Sequence, residues 1–545
     1  MATFYLDDEP IEFEAGENVL RAALRHGREI PHYCYHPGLQ VTAQCRMCLV
    51  DVVDMGNGRG MPKLQTSCST PAAEGMKVDT KSEKVRHGQN VVNEFLLVNH
   101  PLDCPICDQA GECDLQDFSF DYGTGQSEME YEKRVYGWRS VGTFIMLERN
   151  RCIHCSRCER FTRDITGTHD FGMFLRSHEL TFDTFEDHQI VDKFQGNLAD
   201  ICPVGCITNR DWRFRKRAWK LQKTNSVCPS CSTGCNITVD QHKNHVYRLK
   251  PRENQQVNRW WMCDEGRIGF QDLNDRESRL LEPQARVRGA LRPASWEAVY
   301  AAAAQRVKEI GAKGAEVLGL IDTHATNEEM HLFKKLMLDG LGADTVYFPL
   351  RPGEQQEQPP PVEIDPFIYT LIQTDKSPNT AGAQALGLTG DPDDKRFKAA
   401  LQGKPKMAVI FGAPLADSAE VRKAVAKAEL IIHIGTFAGA WSETADVVLP
   451  GFTYAEKQGS FTNKANRVQR INAALRPPET ARDQVAILQE LLGALGKSGL
   501  GKGGPGKSGA VRPAPEVFDA MGREETAFKG LDWEGLGDEG RPMPA

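Results

Sequence analysis

Sixteen cysteines carry the chemistry that this sequence advertises. They form four sets: Cys34-x10-Cys45-x2-Cys48-x19-Cys68; Cys104-x2-Cys107-x5-Cys113; Cys152-x2-Cys155-x2-Cys158, followed by Cys202 and Cys206; and Cys228-x2-Cys231-x3-Cys235-x27-Cys263. Residues 264–545 contain no cysteine. The start of the chain, MATFYLDDEPIEFE, has neither a basic region nor an apolar run, so no secretory signal is expected. Thiols in such a chain are expected to be ligands or catalysts rather than disulfides.

The spacing favours iron over zinc. A long first loop, a C-x2-C pair and a distant last cysteine are the logic of plant-type [2Fe–2S] ferredoxins, although the first gap here is ten residues instead of four. Each iron of such a cluster takes two protein sulfurs and two bridging sulfides, so four thiolates are needed. Four thiolates can also hold a structural zinc, which is the competing reading. The second set has three thiolates and needs a fourth ligand. His100, four residues before Cys104, is one candidate, and a capping or core histidine is the alternative. A neutral imidazole in place of a thiolate makes a cluster less negative and raises its potential by that effect alone. The third set, RCIHCSRC, is typical of [4Fe–4S] cubanes that take their last ligand from afar. Cys202 and Cys206, in ICPVGC, compete for that place, and the proline after Cys202 favours Cys202. The fourth set does not match the paired C-x2-C of a zinc ribbon, so iron is again favoured.

The elements that must position these sets are partly readable. Residues 3–13 read as two short strands around an Asp-Asp-Glu turn, and 17–26 as a helix with Val19, Leu20, Ala23 and Leu24 on one face. A hairpin, a helix and a cysteine loop fit a small β-grasp domain. Residues 86–99 are expected to form a helix leading into the second set. From about residue 295, helices at 296–310, 328–339 and 417–428 alternate with strands at 317–321, 407–411 and 430–434, which predicts an α/β domain with a mainly parallel sheet. Residues 351–366 read as a linker. GKSGLGKGGPGKSG (496–509) is low-complexity, and a disordered tail is expected from there.

The formal net charge of −8 and pI near 6.0 argue against nucleic-acid binding by the whole chain. One basic run, Arg210–Lys223, carries seven Lys or Arg against one Asp. It reads as a solvated helix face or as a docking surface for an acidic partner. No stretch approaches 18 apolar residues, so no direct membrane insertion is expected. The chain offers no convincing G-x-G-x-x-G fingerprint for NAD, which places hydride transfer elsewhere.

Three motifs together resemble one family. HPLDCPICDQAGECDLQD (100–117), RCIHCSRCERF (151–161) with ADICPVG (199–205), and CRMCLV (45–50) are similar to the cluster motifs of the large iron–sulfur subunit of bacterial NADH-quinone oxidoreductase, respiratory complex I. The resemblance covers about residues 1–490. It implies His100 as a ligand and Cys202 as the fourth ligand of the third set. Cys206 stands where the family usually has Ala. Residues 228–495 resemble the start and α/β body of molybdopterin oxidoreductases, and ADVVLPGFTYAEKQGSFTNKANRVQR (445–470) looks like their late motif. Two departures matter: no cysteine in the body can hold molybdenum, and NKANR replaces the usual Asn-x-Glu-Gly-Arg.

The expectation is therefore a multidomain chain of mixed α/β and α+β class. It comprises a β-grasp [2Fe–2S] ferredoxin-type domain over 1–80, a [4Fe–4S] domain with one His and three Cys over 81–120, and a second [4Fe–4S] domain over 121–222. A third [4Fe–4S] domain of molybdopterin-oxidoreductase type follows over 223–280, then a degenerate α/β body over 281–495 and a low-complexity tail over 496–545. One [2Fe–2S] and three [4Fe–4S] clusters are expected and no molybdopterin. By the resemblance, electrons arrive from a flavin-bearing, NADH-binding subunit. They cross the Cys34, Cys152 and His100 sets and leave to a ferredoxin-like two-cluster subunit and quinone, with no complete substrate site in this chain. The resemblance further implies a peripheral place on the cytoplasmic side of the bacterial inner membrane. The competing readings are a formate dehydrogenase catalytic subunit, which needs molybdopterin, and a zinc-stabilised scaffold. An iron-only hydrogenase needs further cysteines in the C-terminal half and is excluded.

Overall fold

The computed structural model describes residues 2–127, 129–185, 188–353, 364, 366–413, 419–497 and 511–544. The chain forms two compact units, Met1–Leu221 with Gln358–Tyr369, and Gln222–Glu357 with Thr370–Ala545. Most of the linker expected at 351–366 lies outside the described residues.

The first unit begins with a five-stranded sheet. Strand Ala2–Leu6 pairs antiparallel with Glu9–Phe13 and parallel with Met76–Asp79, which pairs antiparallel with Leu49–Met55. Alternation along the hairpin points Phe4, Leu6, Ile11 and Phe13 to one face. Helix Val19–Arg25, capped by the Asn18 side chain, buries Val19, Leu20, Ala22 and Ala23 against that face. This is the expected β-grasp arrangement, and Cys48 and Cys68 sit inside its core. Helix Glu83–Leu97 follows, then the second cysteine loop and helix Asp114–Tyr122. The third set hangs from a strand pair. Ile145–Glu148 and Ile207–Asn209 pair antiparallel, with Leu147 opposite Ile207. One strand leads into Cys152 and the other leaves Cys206, so this pairing brings two distant cysteine loops side by side.

The second unit opens with the antiparallel strands Gln222–Val227, Asn236–His242 and His245–Pro251. Its body is a seven-stranded sheet. Val447–Pro450, Leu430–Gly435, Met407–Phe411, Val317–Ile321 and Val346–Tyr347 run parallel in that spatial order, and the hairpin Gln284–Val287/Ala290–Pro293 adds an antiparallel edge. These apolar runs are buried on both faces, as a helix-covered parallel sheet requires.

The tail departs from expectation. Part of the low-complexity stretch, residues 498–510, lies outside the described residues, but the chain after it is folded. Helix Ala514–Glu524 buries Val517, Phe518 and Met521 in the core of the body. Phe518 packs edge-on against Phe528 and Trp533. Arg541–Pro542 then adds a strand beside Arg467–Ile471. The buried apolar residues supply what the glycine-rich stretch lacks.

Candidate metal centres

The first set closes on itself at the edge of the β-grasp core. Cys34 N donates to Cys45 Sγ at 3.4 Å. The Cys34 thiol bonds to Cys45 and Cys68, which hold it far below its ordinary value, while contacts with Cys34 and Cys48 push Cys68 up. A bond from Cys68 draws Cys48 down to about 7. Negative charge is thus favoured on Cys34 and Cys48, while Cys45 and Cys68 hold their protons. Arg46, between Cys45 and Cys48, holds a left-handed backbone (φ 61°), which turns this short loop around the sulfurs.

The second set surrounds a cavity lined by His100, Cys104, Cys107, Cys113, Arg151 and Gly205. Cys107 and Cys113 are buried and Cys104 is exposed. Burial pushes His100 down to about 4, so the imidazole is neutral, and its buried Nδ1 has no hydrogen-bond partner. A neutral imidazole with an unpartnered buried nitrogen among three thiols fits a metal ligand better than a capping role. Cys113 occupies the N-cap position of helix Asp114–Tyr122 yet makes no side-chain cap bond, which leaves its sulfur for the cavity.

The third set lies against the ends of the paired strands, beside Leu147 and Ile207. Cys152, Cys155, Cys158, Cys202 and Cys206 line one cavity. His154 (φ 55°) and Ser156 (φ 58°) are both left-handed, and His154 N donates to Cys152 Sγ at 3.4 Å. Cys155 and Cys158 are pushed up by burial and then by neighbouring sulfurs, Cys152 and Cys202 among them. Cys206 bonds to Cys152 and Cys202 and draws Cys202 down to about 7. Cys202 and Cys206 thus both line the cavity beside the three loop thiols, with Cys206 in contact with Cys152 and Cys202.

The fourth set belongs to the second unit. Cys228 N bonds Cys235 O at 2.8 Å, which closes the C-x2-C-x3-C loop. Cys263 caps helix Asp264–Ile268, with Gly266 N donating to its Sγ at 3.4 Å. A Cβ on Gly266 would stand 2.9 Å from Cys228 Sγ and 3.5 Å from Cys263 Sγ, so glycine here admits the sulfurs. Burial raises Cys228 to about 11 and Cys235 well above its ordinary value. Such thiols ionise only when a cation takes the charge. Among the described residues no three His, Cys, Asp or Glu converge as around a single ion. The second and third cavities are ringed by their ligand candidates instead, the arrangement that suits a core of several atoms.

Several contributing residues carried no recognised signal. Arg151 pairs with Asp103 at 2.9 Å and lines the second cavity. Gly205 approaches Cys107 so closely that a Cβ there would collide with the sulfur. The basic run is not a helix face: it forms turns and one short Ala218–Lys220 helical turn, and ends in strand Gln222–Val227. Arg217 Nη1 donates to Cys107 O at 2.8 Å, and Phe214 N to Asp108 Oδ1 at 2.7 Å, so the run wraps the second loop. Arg217 bonds the carbonyl of Cys107, Arg213 stacks on Trp138 and Phe214, and Arg217 stacks on Trp219.

Five family profiles match in order: a 2Fe-2S iron-sulfur cluster binding domain (1–83), the NADH-ubiquinone oxidoreductase-G iron-sulfur binding region (89–128), the ferredoxin-like domain of NADH-quinone oxidoreductase subunit 3 (142–208), the molybdopterin oxidoreductase Fe4S4 domain (221–275), and molybdopterin oxidoreductase (279–356 and 362–494). The NADH-quinone oxidoreductase G-subunit of Rickettsia bellii is 36% identical over 62% of this chain and 48% of its own length. Over its matched residues the chain is similar to the NADH-quinone oxidoreductase large iron–sulfur subunit. The mitochondrial NADH-ubiquinone oxidoreductase 78 kDa subunit of Candida albicans is 28% identical over 89% of this chain and 81% of its own length. The 75 kDa subunit of Reclinomonas americana is 35% identical over 64% and 49%. The chain spans about half the length of the bacterial relatives it matches. The profiles give it one 2Fe-2S domain and further 4Fe-4S regions, and among the described residues no helix is long and apolar enough to cross a membrane.

Proposed function

We propose that this chain is the iron–sulfur conductor of an NADH:quinone oxidoreductase. Cys34, Cys45, Cys48 and Cys68 hold a [2Fe–2S] cluster. Three [4Fe–4S] clusters are held by His100, Cys104, Cys107 and Cys113; by Cys152, Cys155, Cys158 and Cys202; and by Cys228, Cys231, Cys235 and Cys263. Bound clusters supply one-electron carriage, and the residues fix where each sits. The observation that carries the reading is the set of contacts that joins three centres within one unit. Gln44, beside Cys45, donates through its Nε2 to His154 O at 2.8 Å, which ties the first loop to the third. Gly205, in the Cys202–Cys206 loop, abuts Cys107, and Asp114 N bonds Pro203 O at 3.1 Å, which ties the third to the second. First, third, second is the order a conductor needs.

Electrons enter at the first set from a flavin- and NADH-binding subunit. They leave at the second, whose Cys104 is exposed between Leu102 and Ile106, 87% and 62% exposed. With exposed Phe214 and Trp219 from the basic run, this surface suits an acidic, ferredoxin-like two-cluster partner. The chain works at the cytoplasmic face of the bacterial inner membrane without entering it. The body, with no cysteine to hold molybdenum, serves as scaffold and disfavours a formate dehydrogenase. Metal analysis with electron paramagnetic resonance on anaerobically purified protein tests this. About 14 iron atoms, one [2Fe–2S] signal and little molybdenum are expected. Stoichiometric molybdenum, or about four zinc with no iron, would overturn it.

A further inference from the structure

Arg160 is the largest fully buried side chain among the described residues, at 0% exposure. Its Nη2 donates to Cys34 O at 2.5 Å and to Cys155 O at 3.2 Å. Nη1 donates to Gln40 O at 2.6 Å, and Nε to Ser156 Oγ at 3.2 Å. One guanidinium therefore grips a candidate ligand cysteine of the first set and one of the third through their backbones. Arg157 repeats the pattern one turn earlier: Nη2 donates to Tyr35 O at 2.6 Å and Nη1 to Ile201 O at 3.0 Å, next to Cys34 and Cys202.

Among the described residues, these bonds of Arg160 all go to neutral oxygens. Burying a cation with neutral hydrogen-bond partners alone is costly, so negative charge must stand near; the groups whose negative charge acts on Arg160 are the sulfurs of Cys34 and Cys155 and, more weakly, the adjacent Glu159. A centre held by four thiolates is negative, and its reduction adds one more negative charge. We propose that Arg160 is a positioning residue shared by the first and third centres: its charge raises the reduction potential of both, and its planar fork fixes their loops to each other. This rests on the assignment of clusters to the Cys34 and Cys152 sets. A lysine keeps the charge but lacks the fork, so the two contributions separate.

The test is a redox titration of the full chain, followed by electron paramagnetic resonance, for wild type, Arg160→Gln and Arg160→Lys. The His100 set is the internal reference. In Arg160→Gln, the reduction equilibria of the first and third centres are expected to fall together by about tenfold, or 59 mV for one electron, with the reference unmoved. Arg160→Lys should stay closer to wild type. Loss of both clusters in Arg160→Gln with retention in Arg160→Lys supports the same role. A shift in only one centre, no shift, an equal shift of the reference, or the same loss in both variants overturns it. Absence of the first and third signals from wild-type protein would instead defeat the cluster assignment itself, which separates the two failures.

Discussion

Replacing Gly205 with alanine tests whether the second and third centres share a wall. Gly205 lies in the Cys202–Cys206 loop, and a Cβ there would overlap Cys107 Sγ, with Gln109 Cβ at 3.3 Å and Arg151 Cδ at 3.6 Å on its other sides. Gly205 is not among the residues with positive φ, so alanine meets no backbone strain and the whole effect comes from that contact. Neither side yields easily. Asp114 N to Pro203 O and Glu148 N to Cys206 O, 3.1 and 2.7 Å, fix one loop, and Arg217 Nη1 to Cys107 O at 2.8 Å fixes the other. Overpacking of a close-packed site costs about 1–3 kcal/mol, which is roughly five- to 150-fold in the occupancy of the displaced centre. The assay is iron content with the separate paramagnetic signals of anaerobically prepared Gly205→Ala. The signal of the Cys107 set should fall or broaden while the [2Fe–2S] signal of the Cys34 set stays at wild-type intensity. An unaltered Cys107-set signal at full iron content would refute the shared wall, and with it the proposed contact between third and second centres.

Changing His100 to cysteine should keep the second centre but lower its potential, because a thiolate adds negative charge; an unchanged midpoint in redox titration would count against His100 as a ligand. Cys202→Ala should remove the third-set signal, whereas Cys206→Ala should keep full iron content; the reverse pattern would make Cys206 the ligand. Burial raises Glu328 from 4.5 to about 7, so stability present below pH 4.5 is lost as pH rises towards 7. That gap of about 2.5 units at 1.36 kcal/mol each bounds the loss near 3 kcal/mol. Glu328→Gln, which keeps an acceptor for Ser460 N, should raise the melting temperature at pH 8 and change it little at pH 5, and equal shifts at both would reject the linkage.

Local signals were legible where a single element settles its own pattern. Val317–Ile321 and Met407–Phe411 are runs of apolar residues of strand length, and both form strands with those limits. Ser295 caps Trp296–Ile310 and Gly311 ends it in a left-handed turn, so that helix too matches its sequence pattern. The cysteine sets were legible because ligand spacing is itself local. What stayed hidden depends on distant partners. Arg160 sits in RCERF like any surface arginine, and only the fold reveals the carbonyls of Cys34 and Gln40 above it. The chain beyond residue 510 was obscured by the glycine-rich stretch before it, although Val517, Phe518 and Met521 already share a helical face.

The late stretch 445–470, which looks like a cofactor-enzyme motif, has a structural employment in this chain that needs no cofactor. Lys464 N bonds Ser232 O at 2.7 Å, and Asn463 Nδ2 bonds Thr233 O at 3.2 Å. Gln469 Nε2 bonds Gly234 O at 3.1 Å and Asn236 Oδ1 at 3.0 Å. Two side chains and one backbone amide thus grip the loop that carries Cys231 and Cys235, and Gly234 (φ 62°) brings its backbone within reach. The same stretch anchors into the body: Lys457 pairs with buried Glu329, and Ser460 Oγ donates to Glu328 Oε1 at 2.8 Å. Removing one partner of such a buried pair leaves an uncompensated charge that costs about 3–5 kcal/mol, so the stretch is held by the same interactions through which it holds others. A chain that no longer bound a pterin would still need this stretch to fasten its fourth cysteine loop to the sheet. The motif is therefore no argument by itself for molybdenum chemistry, because the same residues support the Cys228–Cys235 loop.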